Sequence, residues 1–347
     1  MNRRYGMVYM GSKEQILHLI RYIFEREYKK RYFIDLFCGG FSVSNFALVN
    51  SNYIVFANDI NKYLIALIKA IINENSDLKT VKFNWVSREH FEEVRDNPEK
   101  YPDWYVGFVL NVWSFGINQR HYLYGPDRDF YKKALHNALV FDDFSEIKKL
   151  KELEDFTVQE IIRNVDYKRH YTKRTAFMQK FKKYAEEHEK EYPVLKLLVQ
   201  MQHLQQMEHL DAIKRAIPHQ NRLNLSAMDW LDFYNSLPDV ILKEAFIYCD
   251  PPYENKAQYQ FGGEFDYEKF WQWFRTCPYP VYVSSYEAPE DIKPINFDYK
   301  IQLFDNGDLG DNKPKKKVVE NIYWNNKGEA EPTFLDQLFS ETKKEGN

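Results

Sequence analysis

The chain is short of cysteine, of net charge and of long apolar runs. Its 347 residues hold three cysteines, Cys38, Cys249 and Cys277, with no close spacing. That pattern excludes a disulfide framework and a thiolate zinc site. Net charge is −3, so no overall field steers a polyanion, and any nucleic-acid contact must come from local patches. No apolar stretch is long enough to span a bilayer, and Met1 to Lys13 carries no apolar leader core. The expectation is a soluble, cytoplasmic protein with no membrane partner. Glycine is scarce as well, at 13 residues, and G-x-G-x-x-G does not occur. Its absence argues against a nicotinamide dinucleotide and its pyrophosphate.

What is present is ordinary in bulk. Hydrophobic residues make up 44% and charged residues 29%, the balance of a soluble globular protein. The length allows one large domain and a second module. Aromatics reach 17%, with 26 Tyr and 26 Phe, which suits either base stacking or an aromatic core.

Tyr32 to Leu36 reads as a buried strand, left through the turn Phe37-Cys38-Gly39-Gly40-Phe41, with a helix following through Val43, Phe46 and Ala47. A second strand, Tyr53 to Ala57, ends at Asn58-Asp59, and an apolar helix through Tyr63, Leu64, Leu67, Ile68, Ile71 and Ile72 supplies a crossover. Asp59 stands twenty residues after Gly39. Glycines let the backbone approach a ligand, and an acid closing the second strand accepts from ribose hydroxyls. The third apolar run, Ala245 to Cys249, exits at Asp250-Pro251-Pro252-Tyr253. Two prolines cannot continue a strand, so they fix a rigid exit that leaves the Asp250 carboxylate and the Pro251 carbonyl as acceptors beside a flat ring. That set suits an amino group on a planar base.

This tetrapeptide resembles the signature of amino-methyltransferases, which methylate N6 of adenine or N4 of cytosine with S-adenosylmethionine. Asp35-Leu-Phe-Cys-Gly-Gly-Phe41 is similar to the F-x-G-x-G motif of the Dam-like (D12 class) adenine enzymes, with Phe41 where a glycine is usual. Tyr9-Met10-Gly11-Ser12-Lys13 resembles their W-x-G-G-K segment, and Ser226-Ala-Met-Asp229-Trp230 their acid–aromatic pair. The resemblance implies a Rossmann-like α/β sheet with an antiparallel edge and S-adenosylmethionine as cofactor. It implies a cofactor site of Tyr9, Lys13, Asp35, Phe37, Gly39, Asp59, Asp229, Trp230 and Asp250. Asp250, Pro251, Pro252 and Tyr253 would be catalytic, acting on a flipped adenine of double-stranded DNA by direct in-line transfer. In the family, Lys13 would stand near the methionyl carboxylate.

Between 75 and 220 the pattern turns helical, charged and Tyr-rich. Residues 1–74 with 221–330 are expected to form a discontinuous catalytic domain, 75–220 a helical target-recognition domain, and 331–347 a polar tail, the α-type order of the family. Trp113 to Gly125 resembles the loop near the flipped base, which implicates Ser114, Asn118, Arg120, Tyr122 and Tyr124. Lys168 to Lys183 carries seven Lys/Arg and no acids. Lys168, Arg169, Lys173 and Arg174 in that run, and Lys315 in a second basic run, are candidate phosphate contacts. Lys300 to Phe304 and Val318 to Trp324 read as an antiparallel terminal hairpin. A monomer is expected. Cytosine C5 methylation is excluded by the lack of a Pro-Cys nucleophile. N4-cytosine transfer, RNA adenine transfer and a non-catalytic regulator binding S-adenosylmethionine or DNA stay open, as does membership of a restriction-modification pair.

Overall fold

The computed structural model describes residues 4–9, 11–73, 76–141, 143, 145–149, 179, 181–188, 190, 201–253, 264–295, 302–304 and 317–328. Two compact units emerge. One comprises Met1–Ser76, Pro98–Phe108 and His209–Asn347; the other comprises Asp77–Asn97 and Val109–Glu208.

The first unit is built on a six-stranded sheet in the order β3-β2-β1-β4-β5-β8. Its strands are β1 (Tyr32–Asp35), β2 (Ile54–Asn58), β3 (Leu223–Ser226), β4 (Ala245–Cys249), β5 (Val281–Ser285) and β8 (Asn321–Trp324). All pairs are parallel except β5 with β8. Strands β4 and β5 are buried along their whole length, as expected of parallel strands covered on both faces. The doubly wound α/β sheet and its antiparallel edge agree with the sequence reading. The terminal hairpin does so only in part: β6 (Gln302–Phe304) pairs with β7 (Lys317–Val319) as a separate ribbon, and Asn321–Trp324 alone joins the main sheet. Strand β3 has no counterpart in the sequence reading. It is four residues long, half exposed and carries a central asparagine, so it lacks the apolar run that betrays the inner strands.

Helices α1 (Leu17–Arg26), α2 (Ser42–Asn50) and α3 (Lys62–Ile72) belong to this unit. The side chain of Asn61 caps α3 by accepting from the N–H groups of Tyr63 and Leu64. At the start of α2, Phe41 occupies the left-handed region with φ 66°. That conformation costs a non-glycine residue about 1–2 kcal/mol. Phe41 is fully buried, and burying such a ring returns about 1.5–3 kcal/mol, so the side chain holds the turn a glycine would otherwise make.

The second unit is helical where described, including Arg88–Asp96 and Pro126–Phe141. Its centre is a polar aromatic cluster. Trp113 stacks on His203 at 4.5 Å, His136 Nδ1 lies 2.9 Å from His203 Nε2, and the Tyr124 hydroxyl lies 2.6 Å from His203 Nδ1. Burial lowers the His136 pKa to about 4, so the ring is neutral and serves as a hydrogen-bonding core residue.

The helix Asp103–Val112 lies against α3 with no side chain between them at Gly107, where an added Cβ would sit 2.2 Å from the Tyr63 carbonyl oxygen. Backbone cannot yield as a flexible side chain does. Gly107→Ala is therefore expected to destabilise the protein by about 1–3 kcal/mol, read as a lowered urea midpoint, and an unchanged midpoint would contradict this packing.

Candidate active site

In an open α/β sheet, ligands sit outside the carboxyl ends of the strands where the strand order reverses. Here that point lies between β1 and β4, with β2 alongside. The chain places acids at each of these ends: Asp35 closes β1, Asp59 follows β2 and Asp250 follows β4.

Asp250 is the most heavily engaged. Its Oδ1 lies 2.7 Å from Lys13 Nζ, accepts from the Tyr253 hydroxyl at 3.3 Å and from Ser284 Oγ at 3.4 Å. Its side chain remains 20% exposed, and among the described residues no donor reaches Oδ2. Burial pushes its pKa up to about 6; Lys13 pulls it down and the like charge of Glu320 pushes it up. Pro251 is buried, while Pro252 and Tyr253 are half-buried. The Tyr253 ring stacks on Tyr286 at 4.3 Å.

Lys13 is almost wholly buried, yet it is charge-rich in its contacts. Its ammonium donates to the Gly11 carbonyl at 2.7 Å, pairs with Asp250 and reaches Glu320 at 3.6 Å. It also lies 5.0 Å from the centre of the Tyr253 ring. The segment that carries it is held by Glu14, whose Oε1 accepts from the N–H groups of Tyr5 and Gly6. Ser12 precedes the first turn but makes no side-chain cap.

Gly39 has φ +43°, and an added Cβ would meet the Tyr9 ring at 3.1 Å, so the N-terminal segment covers the glycine turn closely. Asp59 fixes the other side. Its Oδ2 accepts from the Gly39 N–H at 3.0 Å and its Oδ1 from the Asn61 N–H at 2.9 Å. Burial raises its pKa to about 6 against those two bonds. Asp35 lies deeper. Its Oδ2 accepts from Ser44 at 2.6 Å, and its Oδ1 is buried with no well-formed hydrogen bond among the described residues. Burial first, with Asp250 and Asp59 adding like charge, raises its pKa to about 7.

Tyr9, Lys13, Asp35, Phe37, Gly39, Asp59 and Asp250 thus gather around the strand ends. Trp230 does not stand free: it is buried against Phe37, Phe270 and Trp273, which makes it core. Asp229 is exposed and caps the helix Trp230–Ser236. In the second unit, Ser114 and Tyr122 are bridged backbone to backbone and buried, and the Tyr122 hydroxyl donates to Val86 and Asp129. Tyr124 is buried on His203. These three hold the loop from inside it. Asn118 folds the turn by accepting from the N–H groups of Arg120 and His121. Phe115, Arg120 and His121 are the exposed side chains there. Lys168, Arg169, Lys173, Arg174 and Lys315 lie outside the described residues.

Sequence reasoning missed Glu320, Ser284 and Tyr286. The only local signal for Glu320 was an acid closing a basic run just ahead of an alternating strand.

Lys13 is the main group favouring the ionised form of Asp250. Lys13→Met should move the Asp250 carboxyl titration upward from about 6, as read by carboxyl carbon NMR; an unmoved or lowered midpoint would mean the ammonium does not act on this acid.

Residues 9–287 match the family model of the D12 class N6 adenine-specific DNA methyltransferase. The match runs from Tyr9 through β5 and takes in Lys13, the glycine turn, Asp59 and Asp250–Tyr253.

Proposed function

The chain belongs to the D12 class of N6 adenine-specific DNA methyltransferases, and on that premise we propose its finer chemistry: it uses S-adenosylmethionine to methylate an adenine turned out of duplex DNA at a short site. The observation that supports this reading is Asp250 and Tyr253 at the exit of β4, beside the glycine turn and among further acids. S-adenosylmethionine, when bound, supplies an electrophilic methyl group on a cationic sulfonium centre.

The residues suit that cofactor. Among the described residues Asp35, Asp59 and Asp250 stand at the ends of β1, β2 and β4 against one ammonium, Lys13, whose charge Glu320 already offsets. Such a charge balance attracts a cation and repels a pyrophosphate. A carboxylate offers about four lone-pair positions, so Asp59 keeps two for ribose hydroxyls after accepting from Gly39 and Asn61.

An exocyclic amino group is a poor nucleophile because its lone pair is delocalised into the ring. Asp250 Oδ2 and the Pro251 carbonyl are acceptors for its two N–H bonds, and holding both favours a pyramidal nitrogen with its lone pair released. Rate then comes from positioning and from the negative field of Asp250 on a nitrogen that becomes positive. Adenine N6 is out of reach inside a duplex, so the base must leave the stack. Tyr253 offers it a face, and the base takes the place of Tyr286 on that face or uses the opposite one. All three cysteines are buried and burial raises the thiol pKa of each, so no thiolate is available for C5 chemistry. In the second unit, exposed Phe115 and Arg120 are the proposed contacts to DNA.

Asp250→Ala is expected to lower kcat by at least about 100-fold, or about 2.7 kcal/mol of transition-state stabilisation, with the circular-dichroism spectrum unchanged. The readout is N6-methyladenine in DNA digests. A variant keeping more than about a tenth of wild-type kcat would remove the acid from the mechanism.

A further inference from the structure

Glu320 lies beyond the stretch that the family model covers, in the link between β7 and β8. Its position follows from topology. Strand β8 runs antiparallel to β5, with Asn321 opposite Ser285, so β8 begins where the parallel strands end. The residue just before it therefore arrives at the strand ends that hold Asp250. Its side chain is only 1% exposed, its Oε1 accepts from the Tyr253 hydroxyl at 2.6 Å, and it lies 3.6 Å from Lys13 Nζ. A buried carboxylate is expensive and persists where it is paired and hydrogen-bonded. Both of its partners belong to the site.

We propose that Glu320 is a positioning residue of the methyl-transfer site, orienting Tyr253 through its hydroxyl and offsetting the Lys13 ammonium so that the negative field of an ionised Asp250 is not cancelled at the amino group. The inference rests on the reading of Asp250 given above. Lys13 contributes one positive charge, and Asp250 and Glu320 contribute one negative charge each, leaving a net charge of minus one facing the substrate. Without Glu320 the pair Lys13–Asp250 is neutral. During transfer the amino nitrogen uses its lone pair to form the new N–C bond, while the donor sulfur keeps the pair of the bond that breaks. The positive charge passes to the nitrogen, which then sheds one proton to Asp250. A neutral pair stabilises that developing cation far less than a net negative one. Glu320 also ties Tyr253 to the same ammonium its ring faces, so ring and acid move as one group.

Among the described residues, the charged and titratable groups around Asp250 are Lys13 from the N-terminal segment, Glu320, Tyr253 on its own loop, Tyr248 and Cys249 on β4, and Asp35 on β1; Ser284 on β5 adds a hydroxyl. Of these, Glu320 adds like charge beside Asp250 without belonging to the cofactor-side acids.

The test compares wild-type enzyme with Glu320→Gln and Glu320→Asp, using duplex DNA and S-adenosylmethionine. Glu320→Gln should lower kcat at least about tenfold with KM for the cofactor nearly unchanged. It should also move the acid limb of the rate profile to lower pH, because losing a neighbouring negative charge makes Asp250 a weaker base. Glu320→Asp should bring the limb back toward wild type. Wild-type kcat in Glu320→Gln, or a lowered kcat with an unmoved acid limb, would overturn the proposal. Carboxyl carbon NMR of Asp250 in the three proteins reads the same coupling without turnover, with a downward midpoint expected in Glu320→Gln. If wild-type protein transfers no methyl group to DNA, the reading of the site falls; the NMR midpoint still decides whether Glu320 acts on Asp250.

Discussion

The contact on which the strand ends of the first unit depend is the ammonium of Lys13 against the carboxylate of Asp250, at 2.7 Å in a nearly closed environment. Removing two charges from water costs several kcal/mol for each ion, and only close geometry with further hydrogen bonds recovers it. Lys13 recovers it three times over, through Gly11, Asp250 and Glu320. In doing so it adds to the bonds that hold the N-terminal segment, where Glu14 accepts from the Tyr5 and Gly6 N–H groups and Asn45 donates to the Tyr5 carbonyl. Tyr9 then covers Gly39, and the Met7 N–H donates to the Gly40 carbonyl at 3.0 Å, so the glycine turn is roofed by the same segment.

The opposing force is the crowding of acids. Parallel strands deliver their carboxyl ends to one edge, and this chain ends three of them with aspartate. Asp35, Asp59 and Asp250 all have raised pKa values, with burial as the leading cause. A protein gains nothing in stability from three such groups side by side; they suit the cationic cofactor proposed above. Asp35 shows how the cost is contained. It is the deepest of the three, Ser44 on α2 donates to it, and its pKa of about 7 lets a proton remain near neutrality.

Much of this was legible in the sequence because it is local. Strand, glycine turn, helix and a spaced acid form one continuous pattern from Tyr32 to Asp59, and Asp250-Pro251-Pro252-Tyr253 announces a strand exit through the chemistry of proline alone. What was not legible depends on long-range register. Glu320 joins the site only because β8 pairs antiparallel to β5, which no local pattern encodes. Strand β3 is too short and too polar to stand out. Trp230 and the pair Tyr122 and Tyr124 have the composition of binding residues, yet their rings fill cores, and aromatic composition alone cannot tell the two uses apart. Phe41 is the opposite case. It departs from the glycine pattern in sequence, and its burial lets it keep the left-handed turn all the same.

The central claim is that these acids form a negative site poised for a cationic cofactor. Calorimetry of S-adenosylmethionine binding, in two buffers of different ionisation enthalpy, tests it directly. Below about pH 7 the amino group of the ligand is already protonated, so any proton released comes from the protein. A bound cation favours ionised carboxylates. Affinity should therefore be fullest above the raised pKa values and weaken from about pH 7 to about pH 5.5, with protons released to the buffer near pH 6. A dissociation constant that stays flat across that range, with no buffer-dependent heat, would contradict the account.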